Sequence, residues 1–216
     1  MPHSRRDASR DSVYNSVCMK LYAVALAAVL PCLAAGIPEV DKGKALGSPT
    51  APIQIEVFSD FTCPHCRLLH DQTIPLLMKD YVVPGKVYLV FRDFPLTGPG
   101  HQYSREAFGY ADAAARIGKY QEVADTLYAN QATWAIKGGT WETVAAVLSP
   151  ADQKKVLALS KDPGVIAEIQ RELDEGVAAG VNATPTLIVS SGSKRYPLPA
   201  PIAYNFLRSL LDGFLK

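Results

Sequence analysis

Cys63-Pro64-His65-Cys66 stands between a run suited to a strand and a run suited to a helix, and no other feature constrains the fold as much. Ile53 to Phe58 (IQIEVF) is β-branched and aromatic, as a buried strand requires. Pro64 to Tyr81 reads as a helix, with Leu68, Leu69, Leu76 and Leu77 apolar and a kink expected at Pro75. If Pro64 takes the first helical position, where its missing N–H costs nothing, Cys63 is the N-cap residue. Its thiol then faces unpaired backbone N–H groups and the positive end of the helix dipole, both of which favour thiolate. A protonated His65 adds positive charge beside it. Cys66 lies about one turn on, close enough to bridge and better shielded.

The other cysteines sharpen this reading. Lys20 precedes an apolar run, Leu21 to Ala35, with the length of a signal-peptide core and small residues for cleavage between about Cys32 and Gly36. Residues 1–35 therefore read as a signal-peptide region, with Met19 an alternative start and an uncleaved anchor the rival interpretation. Of four cysteines, Cys18 and Cys32 fall in this leader, leaving Cys63 and Cys66 in the mature chain. A bridge enclosing two residues staples almost nothing, so redox exchange is its expected use. Half a zinc site is the alternative; it needs two more ligands, and His70, four residues after Cys66, is the nearest candidate beyond the motif.

Composition excludes little else. A formal charge of +1, falling to −1 once residues 1–35 are removed, gives no overall pull toward nucleic acid or anionic membrane. With 48% hydrophobic residues the chain can bury a core. Residues 36–52, rich in Gly, Pro and charge, read as a linker, so the domain is expected to run over 53–216.

Further strands are predicted at Lys86 to Phe91, Thr186 to Ser190 and Lys194 to Pro197, the last two forming a hairpin through Ser191-Gly192. Helical spacing covers Ser104 to Gln131 with a break near Gly118, then Thr140 to Leu148, Pro150 to Leu159, Pro163 to Ala179 and Ile202 to Leu215. The class is therefore α/β: a mixed sheet flanked by helices, with a helical insertion at about 98–162. Thr184-Pro185-Thr186 stands directly before the third strand.

With these motifs in view, the sequence resembles the DsbA-like thiol oxidoreductases of thioredoxin fold. The likeness lies in Phe58-Ser59-Asp60-Phe61-Thr62 leading into the cysteine motif, in Phe91-Arg92-Asp93-Phe94-Pro95-Leu96, in the Ala-rich helix after His101, and in Thr184-Pro185-Thr186. The resemblance implies catalysis by Cys63, Pro64, His65 and Cys66, and substrate binding at Thr184 and a cis Pro185 beside the dithiol. It also implies no cofactor beyond the Cys63–Cys66 disulfide and no metal. Export to the periplasm or a similar compartment, action as a monomer on reduced proteins, and reoxidation by a quinone-linked membrane protein follow as expectations. A disulfide isomerase or reductase of the same fold is the alternative. From a different class, so is a zinc or copper module using Cys63, Cys66 and His70.

One departure stands out. Relatives often place a buried acid six residues before the first cysteine, where this chain has Val57. Strand alternation turns the adjacent Glu56 to the opposite face, leaving Asp60 or water to handle the Cys66 proton. Asp60 is otherwise expected as a cap or turn residue, His101 as a helix-start or cleft-border residue, Trp134 and Trp141 as packing of the insertion, and Arg92 with Asp93 as a strand-end polar cluster.

Overall fold

A computed structural model describes residues 42–216. Five strands form one sheet in the order β1-β3-β2-β4-β5, with β1 at Ala45–Leu46, β2 at Ile53–Ser59, β3 at Val87–Asp93, β4 at Thr186–Ser191 and β5 at Lys194–Pro199. β2 and β3 are parallel, while β1, β4 and β5 each pair antiparallel to their neighbour. The mixed sheet and the hairpin are as expected from the sequence.

The linker expectation needs correction. Lys42–Lys44 forms a 3-10 turn and β1 pairs Ala45 with Val90 and Leu46 with Leu89, so the fold reaches back from Ile53 to Lys42. Lys44 explains why a stretch without apolar periodicity is nonetheless built in. Its fully buried ammonium lies 3.0 Å from Asp93, 3.0 Å from Asp112 and 2.9 Å from Glu172. Burial disfavours that charge, but the three carboxylates outweigh it and hold the ammonium protonated well above the usual lysine value. Arg92 extends the network, 3.2 Å from Glu172 and 3.0 Å from Glu56, and Arg195 reaches Glu56 at 2.7 Å. The expected Arg92 and Asp93 cluster is thus a buried ionic network. The predicted signal-peptide region lies outside the described residues.

Pleat alternation divides the core. Ile53, Ile55 and Val57 pack with Leu69 and Leu77 on the cysteine-helix side, together with Leu207 and Leu211 of the closing helix. Phe58 and Ile188 face the other way, toward Phe94 and Val181. Each such fully buried side chain contributes roughly 1.5–3 kcal/mol.

The helix after the cysteines runs as α1 (Pro64–Leu68), a π-wound stretch Leu69–Thr73, α2 (Ile74–Leu77) and a second π stretch Met78–Val82. The kink expected at Pro75 appears instead as local widening. Pro75 has no N–H to donate and its ring would crowd the carbonyl one turn back, a conflict that a π turn relieves.

The insertion comprises α3 (Ser104–Ala115), α4 (Tyr120–Ala129), α5 (Gln131–Lys137), α6 (Thr140–Ala145) and α7 (Pro150–Leu159). α5 was not legible as a separate helix. α8 (Pro163–Ala178) and α9 (Tyr204–Phe214) follow as expected, and Ser149 and Asp162 cap α7 and α8 by accepting from main-chain N–H groups. Val165, Ile169, Glu172 and Gly176 form the buried stripe of α8. A Cβ at Gly176 would meet Phe94 at 2.8 Å and Phe58 at 2.9 Å, so only glycine allows this approach. Trp134 is fully buried in the insertion, donating to Leu127 O at 2.7 Å, and Trp141 packs on Tyr110. Among the described residues no helix is long and apolar enough to cross a membrane.

Candidate active site: the Cys63–Cys66 dithiol

Cys63 is the N-cap of α1, with extended backbone (φ −78°, ψ 122°) and Pro64 following at the first turn. Its carbonyl accepts from Cys66 N at 3.1 Å and Arg67 N at 3.2 Å, which starts the helix and turns Cys66 inward. Pro64 and His65 are exposed, whereas Cys66 is buried at 1% exposure. Both cysteines are thiols in this structure.

Their environments drive the two thiols apart. Cys63 falls from the ordinary 9.0 to about 5, chiefly because the Cys66 thiol donates to its sulfur. Burial opposes this shift, while the Thr184 side chain and the main-chain N–H groups of Cys66 and His65 add to it. Burial is also the main reason the Cys66 thiol is pushed well up, reinforced by the neighbouring Cys63. Asp60 N donates to Cys66 Sγ at 3.3 Å. The pair therefore offers one stable thiolate at Cys63, itself only 6% exposed, and one protonated partner buried more deeply.

Thr184-Pro185 completes the site. The bond is cis, Pro185 is buried, and the carbonyl of Thr184 accepts from Cys63 Sγ at 3.5 Å. The Thr184 hydroxyl is buried, and its side chain favours the thiolate form of both cysteines.

Asp60 takes the turn role expected of it, on a larger scale. One carboxylate oxygen accepts from Thr62 N and Thr62 Oγ1, both at 2.6 Å, and the other from Leu96 N at 2.7 Å and Ser104 Oγ at 2.9 Å. Because the Thr62 hydroxyl gives its proton to Asp60, His101 Nδ1 is the donor in the 2.6 Å contact with Thr62 Oγ1. His101 thus borders the cysteine loop. Val57 is apolar core and Glu56 points to the opposite face, as alternation requires.

His70 is engaged elsewhere: Nε2 lies 3.0 Å from Asp125 and the ring packs on Tyr128 at 4.6 Å. Among the described residues no three His, Cys, Asp or Glu side chains are grouped to hold a metal ion, so the Cys63, Cys66 and His70 alternative finds no ligand set there.

Sequence reading missed Gln131. It comes from the start of α5, is buried, and donates from Nε2 to Phe61 O at 2.7 Å and to Cys63 O at 2.9 Å. No motif marks it, since its partners are main-chain carbonyls.

A mixed sheet with a helix-capping dithiol opposite a cis-proline loop defines a protein of the thioredoxin class. A family profile described as thioredoxin matches residues 39–209, and the chain belongs to that family. Wolbachia pipientis alpha-DsbA1 superposes with a TM-score of 0.69 at 21% identity, covering 82% of this chain and 92% of that one. Oxidised BdbD from Bacillus subtilis gives 0.65 at 20% identity over 81% and 94%. In sequence, a probable disulfide bond formation protein D from Bacillus cereus is 40% identical over 55 residues, which span only 26% of each chain. The disulfide bond formation protein D of Bacillus subtilis is 21% identical over 160 residues, 72% of this chain and 71% of that one.

Proposed function

We propose that the protein is an exported thiol:disulfide oxidoreductase that works as an oxidase, introducing disulfides into reduced proteins. The observation that carries this reading is the contrast between the two thiols: Cys63 favours thiolate, and the more deeply buried Cys66 favours its proton.

In the oxidised enzyme a substrate thiolate attacks Cys63 Sγ. The Cys63–Cys66 bond breaks, Cys66 leaves and takes up a proton, and the substrate is joined to Cys63. A second substrate thiolate then attacks the substrate sulfur of this mixed disulfide. The substrate disulfide forms and Cys63 leaves as thiolate, so two substrate thiols have been oxidised and the enzyme pair reduced. A low-pKa leaving group speeds the second step, and a stabilised reduced form makes the pair a strong oxidant. Pro64 and His65 complete the motif: Pro64 fixes the helix start and a protonated His65 adds charge near the thiolate. Thr184 and Pro185 hold an extended substrate strand beside Cys63, in the manner of strand addition. Reoxidation passes two electrons to a quinone-linked membrane protein.

The equilibrium constant of the pair against glutathione tests the reading. An oxidase disulfide is reduced by glutathione almost to completion. A pair more reducing than glutathione would instead assign a reductase. N-terminal sequencing of the protein from its native host tests export, with cleavage expected between about Cys32 and Gly36.

A further inference from the structure

Cys63 must keep its sulfur over the first N–H groups of α1 although it lies outside the helix, where backbone freedom is greatest. Two sets of contacts hold the preceding loop. From one side the Asp60 carboxylate binds Thr62 through its N–H and hydroxyl. From the other, the single Nε2 of Gln131 bridges the carbonyls of Phe61 and Cys63, 2.7 and 2.9 Å away, on either side of Thr62. Gln131 is itself fixed, only 4% exposed at the first position of α5.

Resting on the oxidase reading, we propose that Gln131 is a positioning residue: its side-chain amide clamps the Cys63 main chain, and through it the helical insertion sets how strongly the dithiol draws electrons. The bond to Cys63 O is distinct from the helix bonds that the same carbonyl accepts from Cys66 and Arg67. It restrains rotation about the Cys63 peptide, the motion that would carry Sγ away from the His65 and Cys66 N–H groups. A loosened Cys63 keeps its disulfide bond but loses donors to its thiolate, so the reduced form is destabilised more than the oxidised one. The insertion thereby serves redox tuning as well as covering the site.

Gln131→Met tests this, since Met is similar in volume and unbranched but has no donor. Gln153→Met is the control, because Gln153 Nε2 makes an equivalent bridge between Ala145 O and Leu148 O inside the insertion. The readouts are the thiolate titration of Cys63 by absorbance and the glutathione equilibrium constant, with a melting curve for each variant. Gln131→Met should raise the Cys63 titration midpoint by about one pH unit and make the pair about tenfold less oxidising. Gln153→Met should lower the melting temperature and move neither redox readout. If Gln131→Met does not fold, Gln131→Asn, one methylene short of both carbonyls, is read the same way. A folded Gln131 variant with unchanged titration and equilibrium constant overturns the proposal, as do equal shifts in both Met variants. An ordinary thiol titration in the parent protein would overturn the oxidase reading instead.

Discussion

The sulfur of Cys63 lies 3.5 Å from the carbonyl oxygen of Thr184, a contact made across 121 residues of sequence. It brings the helix-capping thiol against the loop that ends in cis Pro185, so the reacting sulfur and the proposed substrate-binding main chain share one surface. Under the proposed function, attack at Cys63 and capture of the substrate strand would be a single docking event.

Mixed disulfides report which sulfur is attacked. Cys66→Ala, with Cys63 first converted to its mixed disulfide with glutathione, should exchange glutathione for reduced client proteins and accumulate the client adducts, because the buried thiol that would expel the client by re-forming the Cys63–Cys66 bond is gone. Cys63→Ala should accumulate none and lack oxidase activity, since Cys66 is only 1% exposed. Gel mobility under non-reducing conditions distinguishes the two, and equal trapping by both would refute the assignment.

Reduction should consume fewer protons than an ordinary dithiol does. Above about pH 5 Cys63 stays a thiolate while Cys66 binds a proton. The potential should then fall by about 30 mV per pH unit, against about 59 mV below pH 5. The folded Cys63 value is depressed, so its contribution to the stability of the reduced protein is complete above the unfolded thiol value and is lost as pH falls through 5. Melting curves of reduced and oxidised protein at pH 4.5 and 7.5, on either side of about 5, check the sign: the reduced form gains relative stability at the higher value.

Asp60→Ala should be among the costliest substitutions in the molecule. It removes an acceptor shared by Thr62 N, Thr62 Oγ1, Leu96 N and Ser104 Oγ, and each donor left buried and unpaired costs about 1–3 kcal/mol. Urea unfolding should show a loss of at least ~3 kcal/mol. Asp60→Asn should lose less, because one amide oxygen still accepts.

Lys44→Met leaves Asp93, Asp112 and Glu172 without the cation they share, at a cost of about 3–5 kcal/mol near neutral pH. Burial already raises the carboxyls of Asp93 and Asp112, and loss of Lys44 raises them further. Groups with raised folded values lose their contribution as pH rises through those values. The deficit of the variant should therefore shrink on acidification, as unfolding curves at pH 5 and pH 8 would reveal. A deficit that grows toward pH 5 would contradict the assignment of these carboxyls.

Relations within one turn or one strand could be read from the sequence because they depend on neighbouring residues. Pro64 at the first helical position makes Cys63 the cap, and period-two alternation sends Glu56 away from Val57. The helix starts at Pro150 and Pro163 were legible for the same reason. What brings distant segments together was not. β1 is two residues long, too short for any alternation to show, and Lys44 is buried only because Asp93, Asp112 and Glu172 converge on it. Gln131 binds main-chain carbonyls, which every residue carries, so its partners leave no trace in residue identity. Thus the sequence alone determined the redox motif, its helix-capping chemistry and the order of most elements. Packing of the helical insertion and the N-terminal edge against the sheet decided which polar side chains hold the motif in place, because those contacts exist only where remote surfaces exclude water together.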